Sequence, residues 1–142
     1  VKLCDKYGIS PGLLEIEITE SIRNAPEIDL KELIGKLRQA GFTVALDDFG
    51  TEYVNLSLLS SVEFDVLKLD KTMVDDMVNN PKAQAIIESI AGICKKMGIR
   101  VVAEGIETEE QMSVLRTCGV ETAQGYLFSR PIPVEEYEEK YL

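Results

Sequence analysis

Three glycines set the frame of this chain. Gly41, Gly98 and Gly119 each close a stretch whose apolar residues recur every three or four positions, and each leads at once into a strand-like run. A helix that stops at a left-handed glycine and turns into a strand is the repeating half of a β/α unit. The helical stretches align Leu30, Leu33, Ile34 and Leu37, then Ala83, Ile86, Ile87, Ile90, Ile93, Cys94 and Met97, then Met112, Leu115 and Cys118. The strands after the glycines are "FTVALDD", "IRVVAEG" and "VETAQGY"; two more are read from "LEIEIT" (14–19) and "VLKLD" (66–70). Asn80-Pro81 has the form of an N-cap and first-turn proline, and Thr108 to Gln111 that of a capping box. Five strands alternating with helices through short connections predict an α/β fold with a parallel sheet.

Strand alternation then sorts the side chains. Leu14, Ile16 and Ile18 oppose Glu15 and Glu17; Phe42, Val44 and Leu46 oppose Thr43, Ala45 and Asp47; Leu67 and Leu69 oppose Val66, Lys68 and Asp70. Glu104 falls with Val102, and Gln124 with Thr122 and Tyr126. Every strand thus has one apolar face and carries a charged or amide group on the other, near its C-terminal end. Parallel α/β folds bind ligands there. Scattered ion pairs are one account of these groups; a single shared site is the account that covers all five strands.

Composition narrows the chemistry. The 142 residues contain no histidine, which excludes Ser-His-Asp and Cys-His catalysis and His-rich zinc sites from this chain. The net charge of −10, from 25 acidic and 15 basic residues, argues against binding a nucleic-acid polymer. No apolar run approaches the roughly 18–20 residues of a membrane span, and no secretory signal is visible. Cys4, Cys94 and Cys118 are odd in number and scattered, Cys4 in a polar segment, which fits reduced thiols and a cytoplasmic location. Val1 to Ser10 reads as the tail of a helix, and the "YEEKY" ending as a solvated terminal helix.

In "FTVALDDFGTEY" two adjacent carboxylates end a buried strand, where like charges repel. A solvated turn is one explanation. A divalent cation is the other, because it converts the repulsion into affinity. Glu17, Asp47, Asp48 and Glu104 make an all-oxygen donor set suited to Mg²⁺, Mn²⁺ or Ca²⁺ rather than zinc. Such a set is enough for two ions about 3.5–4 Å apart, the arrangement used for phosphoryl-ester hydrolysis, with Asp47 placed to bridge them. Lys68 either balances these charges or contacts a phosphate or attacking hydroxide.

With "LEIEITES", "ALDDFGTEYVNL", "VLKLDKTMV", "VVAEGIETEEQ" and "AQGYLFSRPIP" in this order and spacing, the chain resembles the EAL domain, the bacterial cyclic di-GMP phosphodiesterase. The resemblance implies a TIM-like (β/α)8 barrel, of which this chain carries about five parallel strands with flanking helices. It also implies hydrolysis of one phosphodiester of cyclic di-GMP to linear pGpG, using two Mg²⁺ or Mn²⁺, with Ca²⁺ inhibitory because it supports binding without turnover. By motif, Glu17, Asp47 and Asp48 correspond to metal ligands and Glu104 to a ligand or general base. Lys68 and Gln124 fall near the nucleophilic water and the metal shell. Glu20 matches a glutamate that braces the loop after "DDFG", and Glu107 a further acidic site position; helix N-terminal caps are the alternative reading of both.

The departures carry equal weight. The Glu-Ala-Leu tripeptide and the strand bearing the family's metal-binding Asn are absent, so the chain is expected to be the C-terminal part of a single such domain, with little activity on its own. The family's "DFGTGYSS" loop reads "DFGTEYVN" here, so Glu52 follows Thr51 where glycine is usual. That loop is linked to metal binding and dimerisation in the family. A homodimer, through this loop or through unpaired strand edges, is the partner expected beside cyclic di-GMP. Two other readings stay open: a degenerate domain that binds cyclic di-GMP or a protein partner without catalysis, and an unrelated Mg²⁺-dependent barrel enzyme with Lys68 as base.

Overall fold

The computed structural model describes residues 1–19, 21–22, 29–51 and 56–142, with the backbone alone for Leu56. Five strands, β1 (Glu15–Thr19), β2 (Thr43–Phe49), β3 (Val66–Leu69), β4 (Arg100–Ala103) and β5 (Thr122–Ala123), form one sheet. Every neighbouring pair is parallel, and spatial order follows chain order without reversal. A doubly wound sheet reverses its order at a switch point, whereas a (β/α) barrel does not. The sheet is therefore an arc of a barrel, with β1 and β5 at its edges.

The helices form where the sequence punctuates them. Helix α1 (Lys2–Tyr7) precedes the sheet and buries Cys4, which the polar surroundings of that residue did not foretell. Asp29 caps α2 (Leu30–Gln39) by accepting from the Glu32 N–H at 3.0 Å, and the exit runs through Gly41 at φ 91°. Asn80 caps α5 (Pro81–Met97), accepting from the N–H groups of Lys82 and Ala83. The capping box of α6 (Glu109–Thr117) is complete: Thr108 accepts from the Gln111 N–H while Gln111 accepts from the Thr108 N–H. A terminal helix, α7 (Val134–Tyr141), is exposed throughout, as read.

Two short helices, α3 (Leu56–Ser61) and α4 (Lys71–Asp75), were not legible, because five or six residues span too little of a helical period. Asp70 is thereby corrected from strand to N-cap: β3 ends at Leu69, and Asp70 accepts from the Thr72 N–H at 2.8 Å.

One apolar core lies between the helices and the face of the sheet carrying Ile18, Val44, Leu46, Leu67 and Leu69. Ile34 of α2, Ile87, Ile90 and Cys94 of α5, and Met112 and Leu115 of α6 close over it. Side chains of this size stabilise a fold by about 1.5–3 kcal/mol each when fully buried. With one face committed to that core, the pleat leaves Glu17, Ala45, Asp47, Val66 and Lys68 on the other.

Candidate active site

The site is built on the middle strand. All four residues of β3 are buried, and the third is Lys68, 6% exposed. A buried ammonium needs partners, and the adjoining strands supply them. Lys68 Nζ lies 2.5 Å from Glu17 Oε1 of β1, 2.8 Å from Glu104 Oε1 just past β4, and 3.0 Å from Asp47 Oδ1 of β2. Burial alone would lower the Lys68 pKa, but Glu104, Glu17 and Asp47 outweigh it and hold it above the ordinary lysine value. The ammonium is charged at any physiological pH.

Asp47 is the least satisfied member. Its Oδ1 is fully buried and, among the described residues, has no hydrogen-bond partner. The 3.0 Å approach of Lys68 is an ion pair whose angles do not make a hydrogen bond. The carboxylate therefore has a charge partner but keeps a lone-pair direction free.

Asp48 reaches the same side by a device that alternation does not foresee. Leu46 pairs with Leu67 and Phe49 with Leu69, so two residues of β2 stand opposite Lys68 alone. This is a β-bulge, and Asp48 takes φ 56°, the one positive value outside glycine among the described residues. The extra residue resets the pleat: Asp47 and Asp48 both turn toward the polar face while Phe49 returns to the core. Burial, followed by the charge of Asp47, raises the Asp48 pKa; Asp70 and Glu17 add to it and Lys68 opposes it. Thr51 closes the following turn, its N–H and Oγ1 both donating to the Asp48 carbonyl, at 3.3 and 3.1 Å.

The remaining predicted residues flank Glu104. Gly105, at φ 69°, follows it, and a Cβ there would stand 2.6 Å from Lys71 Cγ, so the lysine stem lies against bare backbone. The Lys71 ammonium pairs with Glu107, whose pKa that hydrogen bond lowers. Glu107 is thus corrected from a candidate cap: Thr108 caps α6, and Glu107 ties α4 to the turn after Glu104. Gln124 lies just beyond β5, its N–H donating to the Ala103 carbonyl at 2.8 Å. Lys71, Glu104, Glu107, Gln124 and Tyr126 line a cleft of about 280 Å³. Glu20 and Glu52 lie outside the described residues.

The structure therefore gathers Glu17, Asp47, Lys68 and Glu104 in direct contact, brings Asp48 within electrostatic reach, and sets Gln124 and Glu107 alongside. Sequence reasoning missed Lys71 and the proximity of Asp70 to Asp48. An Asp followed two residues later by Thr was a readable cap signal, but nothing local ties Lys71 to a residue 36 positions on. A larger cleft of about 760 Å³, lined by Arg38, Glu63, Asp65 and Met97, lies at the opposite, N-terminal ends of the strands.

Hard divalent cations suit what is present. Three carboxylates contact one buried ammonium with Asp48 nearby, every candidate donor is oxygen, and Asp47 Oδ1 is a buried acceptor without a donor. Among the described residues no three of these carboxylates close on one another as a ready cage; they close on Lys68 instead. No helix among the described residues is long and apolar enough to cross a membrane.

Comparison with known proteins agrees with this fold. The profile of the EAL domain matches residues 1–131. The chain is 35% identical to the cyclic di-GMP phosphodiesterase PA2567 of Pseudomonas aeruginosa, over 98% of this chain and 24% of that protein. It superposes on the EAL enzyme Bd1971, in a form bound to cAMP and cyclic di-GMP, with a TM-score of 0.90 and 33% identity, covering 97% of this chain and 36% of the other. BlrP1 of Klebsiella pneumoniae, in a manganese and cyclic di-GMP complex, matches with a TM-score of 0.85 and 38% identity, over 92% and 34% of the two chains. The chain spans 17% to 24% of the length of the first curated relatives it matches. A match that begins at the first residue and runs through all five strands and the whole carboxylate cluster leaves one assignment: this chain belongs to the EAL domain family.

Proposed function

We propose that this chain is the C-terminal part of an EAL domain that hydrolyses one phosphodiester of cyclic di-GMP to linear pGpG. The observation that carries the reading is the convergence of Glu17, Asp47 and Glu104 on Lys68, from four adjacent strands, at the ligand-binding ends of a parallel sheet. Glu17, Asp47, Asp48 and Glu104 are the residues that would hold Mg²⁺ or Mn²⁺. Bound there, the ions would supply hydroxide at neutral pH and stabilise charge on the leaving oxygen. Lys68, cationic in a buried setting, orients an anionic phosphate. Glu104 is placed to accept the proton of the attacking water, and Gln124 offers an amide to fix its direction. The same reading has the protein pairing with a second copy through the turn after Asp48 or through the edges of β1 and β5.

The test is a hydrolysis assay with Mn²⁺ on this chain and on a version extended upstream by about one hundred residues, roughly what a 250-residue barrel needs beyond it. Turnover is expected from the extended protein and little from the 142-residue chain, with Ca²⁺ supporting binding alone. Robust turnover by the short chain overturns the idea that its site is incomplete. Absence of turnover and of cyclic di-GMP binding by the extended protein overturns the phosphodiesterase reading itself.

A further inference from the structure

Lys68 occupies the point on which the ligand oxygens converge. Glu17 Oε1, Glu104 Oε1 and Asp47 Oδ1 all lie within 3.0 Å of its Nζ. Magnesium binds carboxylate oxygens at about 2.0–2.1 Å, so an ion touching these same three oxygens would overlap the ammonium. Two cations cannot share that space. Among the described residues the carboxylates close on Lys68, and no three of them form a ready metal cluster.

We propose that Lys68 is the resident counter-ion of the metal-free site, and that a divalent cation enters by exchange. The ion takes Glu17, Asp47 and Glu104 from the ammonium, which withdraws along its flexible stem. The inference rests on the reading of these carboxylates as metal ligands and adds what holds them before metal arrives. It explains how repelling acids from neighbouring strands stay gathered at one place in a folded, metal-free protein. It also gives the site a loading threshold, because the metal has to outcompete a cation already seated rather than fill a vacant cage. Lysine suits this role: its point charge has three rotatable donors and no fixed fork, so it can release partners singly. Asp47 is the partner most readily released, because its Oδ1 makes no hydrogen bond that has to break.

The test uses the upstream-extended protein and two readouts that do not involve catalysis. Calorimetry compares Mn²⁺ binding by the unsubstituted protein with Lys68→Met, which keeps the apolar stem. The substituted protein is expected to bind on the order of tenfold more tightly, because one opposing charge within a few ångströms has gone. Nitrogen-15 spectroscopy of the lysine ammonium groups, during titration with diamagnetic Mg²⁺, reads the exchange without any substitution and decides the matter if Lys68→Met does not fold. The Lys68 signal is expected to shift or broaden as metal saturates. Equal or weaker Mn²⁺ binding by Lys68→Met, or an ammonium signal unmoved at saturation, overturns the exchange while leaving the metal site standing. No Mn²⁺ binding by the unsubstituted protein overturns both.

Discussion

At the N-terminal ends of the strands Arg38 bridges Glu63 and Asp65, and Arg100 reaches Glu15; at the C-terminal ends Lys68 gathers Glu17, Asp47 and Glu104. Both ends pair basic side chains with carboxylates, but the settings are opposite. The side chains of Arg38 and Arg100 are 37% and 59% exposed, and the Asp65 carboxylate also accepts from the Val44 N–H at 2.9 Å. The Lys68 side chain is 7% exposed, and beside it lies an aspartate oxygen without a hydrogen bond. The first arrangement sets two exposed arginines against three carboxylates; the second sets one buried ammonium against three. Cavity size ranks the two ends the wrong way round, since the larger cleft belongs to the first. What separates a site from a strut here is burial together with unmet charge.

The largest expected test of that contrast is a matched pair of truncations in the metal-free protein. Lys68→Met leaves carboxylates facing one another and is expected to lower unfolding free energy by about 3–4 kcal/mol in urea titrations. Arg38→Met, at the exposed end, is expected to cost under about 1 kcal/mol. Similar costs for the two would erase the distinction.

Glycines sharpen it next. A Cβ on Gly125 would stand 2.2 Å from the Ile106 carbonyl oxygen and 2.3 Å from its nitrogen, both backbone. Gly125→Ala is expected to cost about 3 kcal/mol, since backbone beside Gln124 has no room to yield. Gly98 faces open space at φ 73°, so Gly98→Ala carries only the left-handed penalty, about 1 kcal/mol.

Metal affinity separates the two ends in kind. Asp47→Asn is expected to weaken Mn²⁺ binding at least about 100-fold by calorimetry, beyond the usual effect of a supporting partner, whereas Asp65→Asn leaves it unchanged.

The smallest effect belongs to Lys71 and Glu107. The Lys71 hydrogen bond holds Glu107 below its usual pKa of 4.5. A lowered carboxylate stabilises above its unfolded pKa and loses that contribution as pH falls through the folded value. Glu107→Gln is therefore expected to lower Tm by roughly 1–2 °C at neutral pH. The difference from the parent protein should close as pH falls through the lowered Glu107 pKa. A gap that persists in acid would mean Glu107 acts by packing rather than by charge.

The fold was largely legible because its signals are local. Helix stops at Gly41, Gly98 and Gly119, caps at Asn80 and Thr108, and two-residue alternation in β1 to β4 each need only a few neighbours to read. Alternation also points Glu17, Asp47, Lys68 and Glu104 to one face. The illegible parts are those where a neighbouring strand overrules the local rule. Nothing in "ALDDFG" announces that β2 gains a residue against β3, yet that bulge is what turns Asp48 to the same side as Asp47. Asp70 was drawn into the strand because "VLKLD" alternates to its end, while the hydrogen bond from Thr72 makes it a cap.

By itself, then, the sequence determined the β/α repeat, the shared face of Glu17, Asp47, Lys68 and Glu104, and the oxygen-only chemistry of a chain without histidine. These follow from periodicity and composition, which are properties of neighbours along the chain. Only the tertiary structure decided the distances: Glu17 to Lys68 across 51 residues, Lys71 to Glu107 across 36, and the left-handed turn at Asp48. Register between strands and burial in the shared core set those values, and neither is written in any single segment.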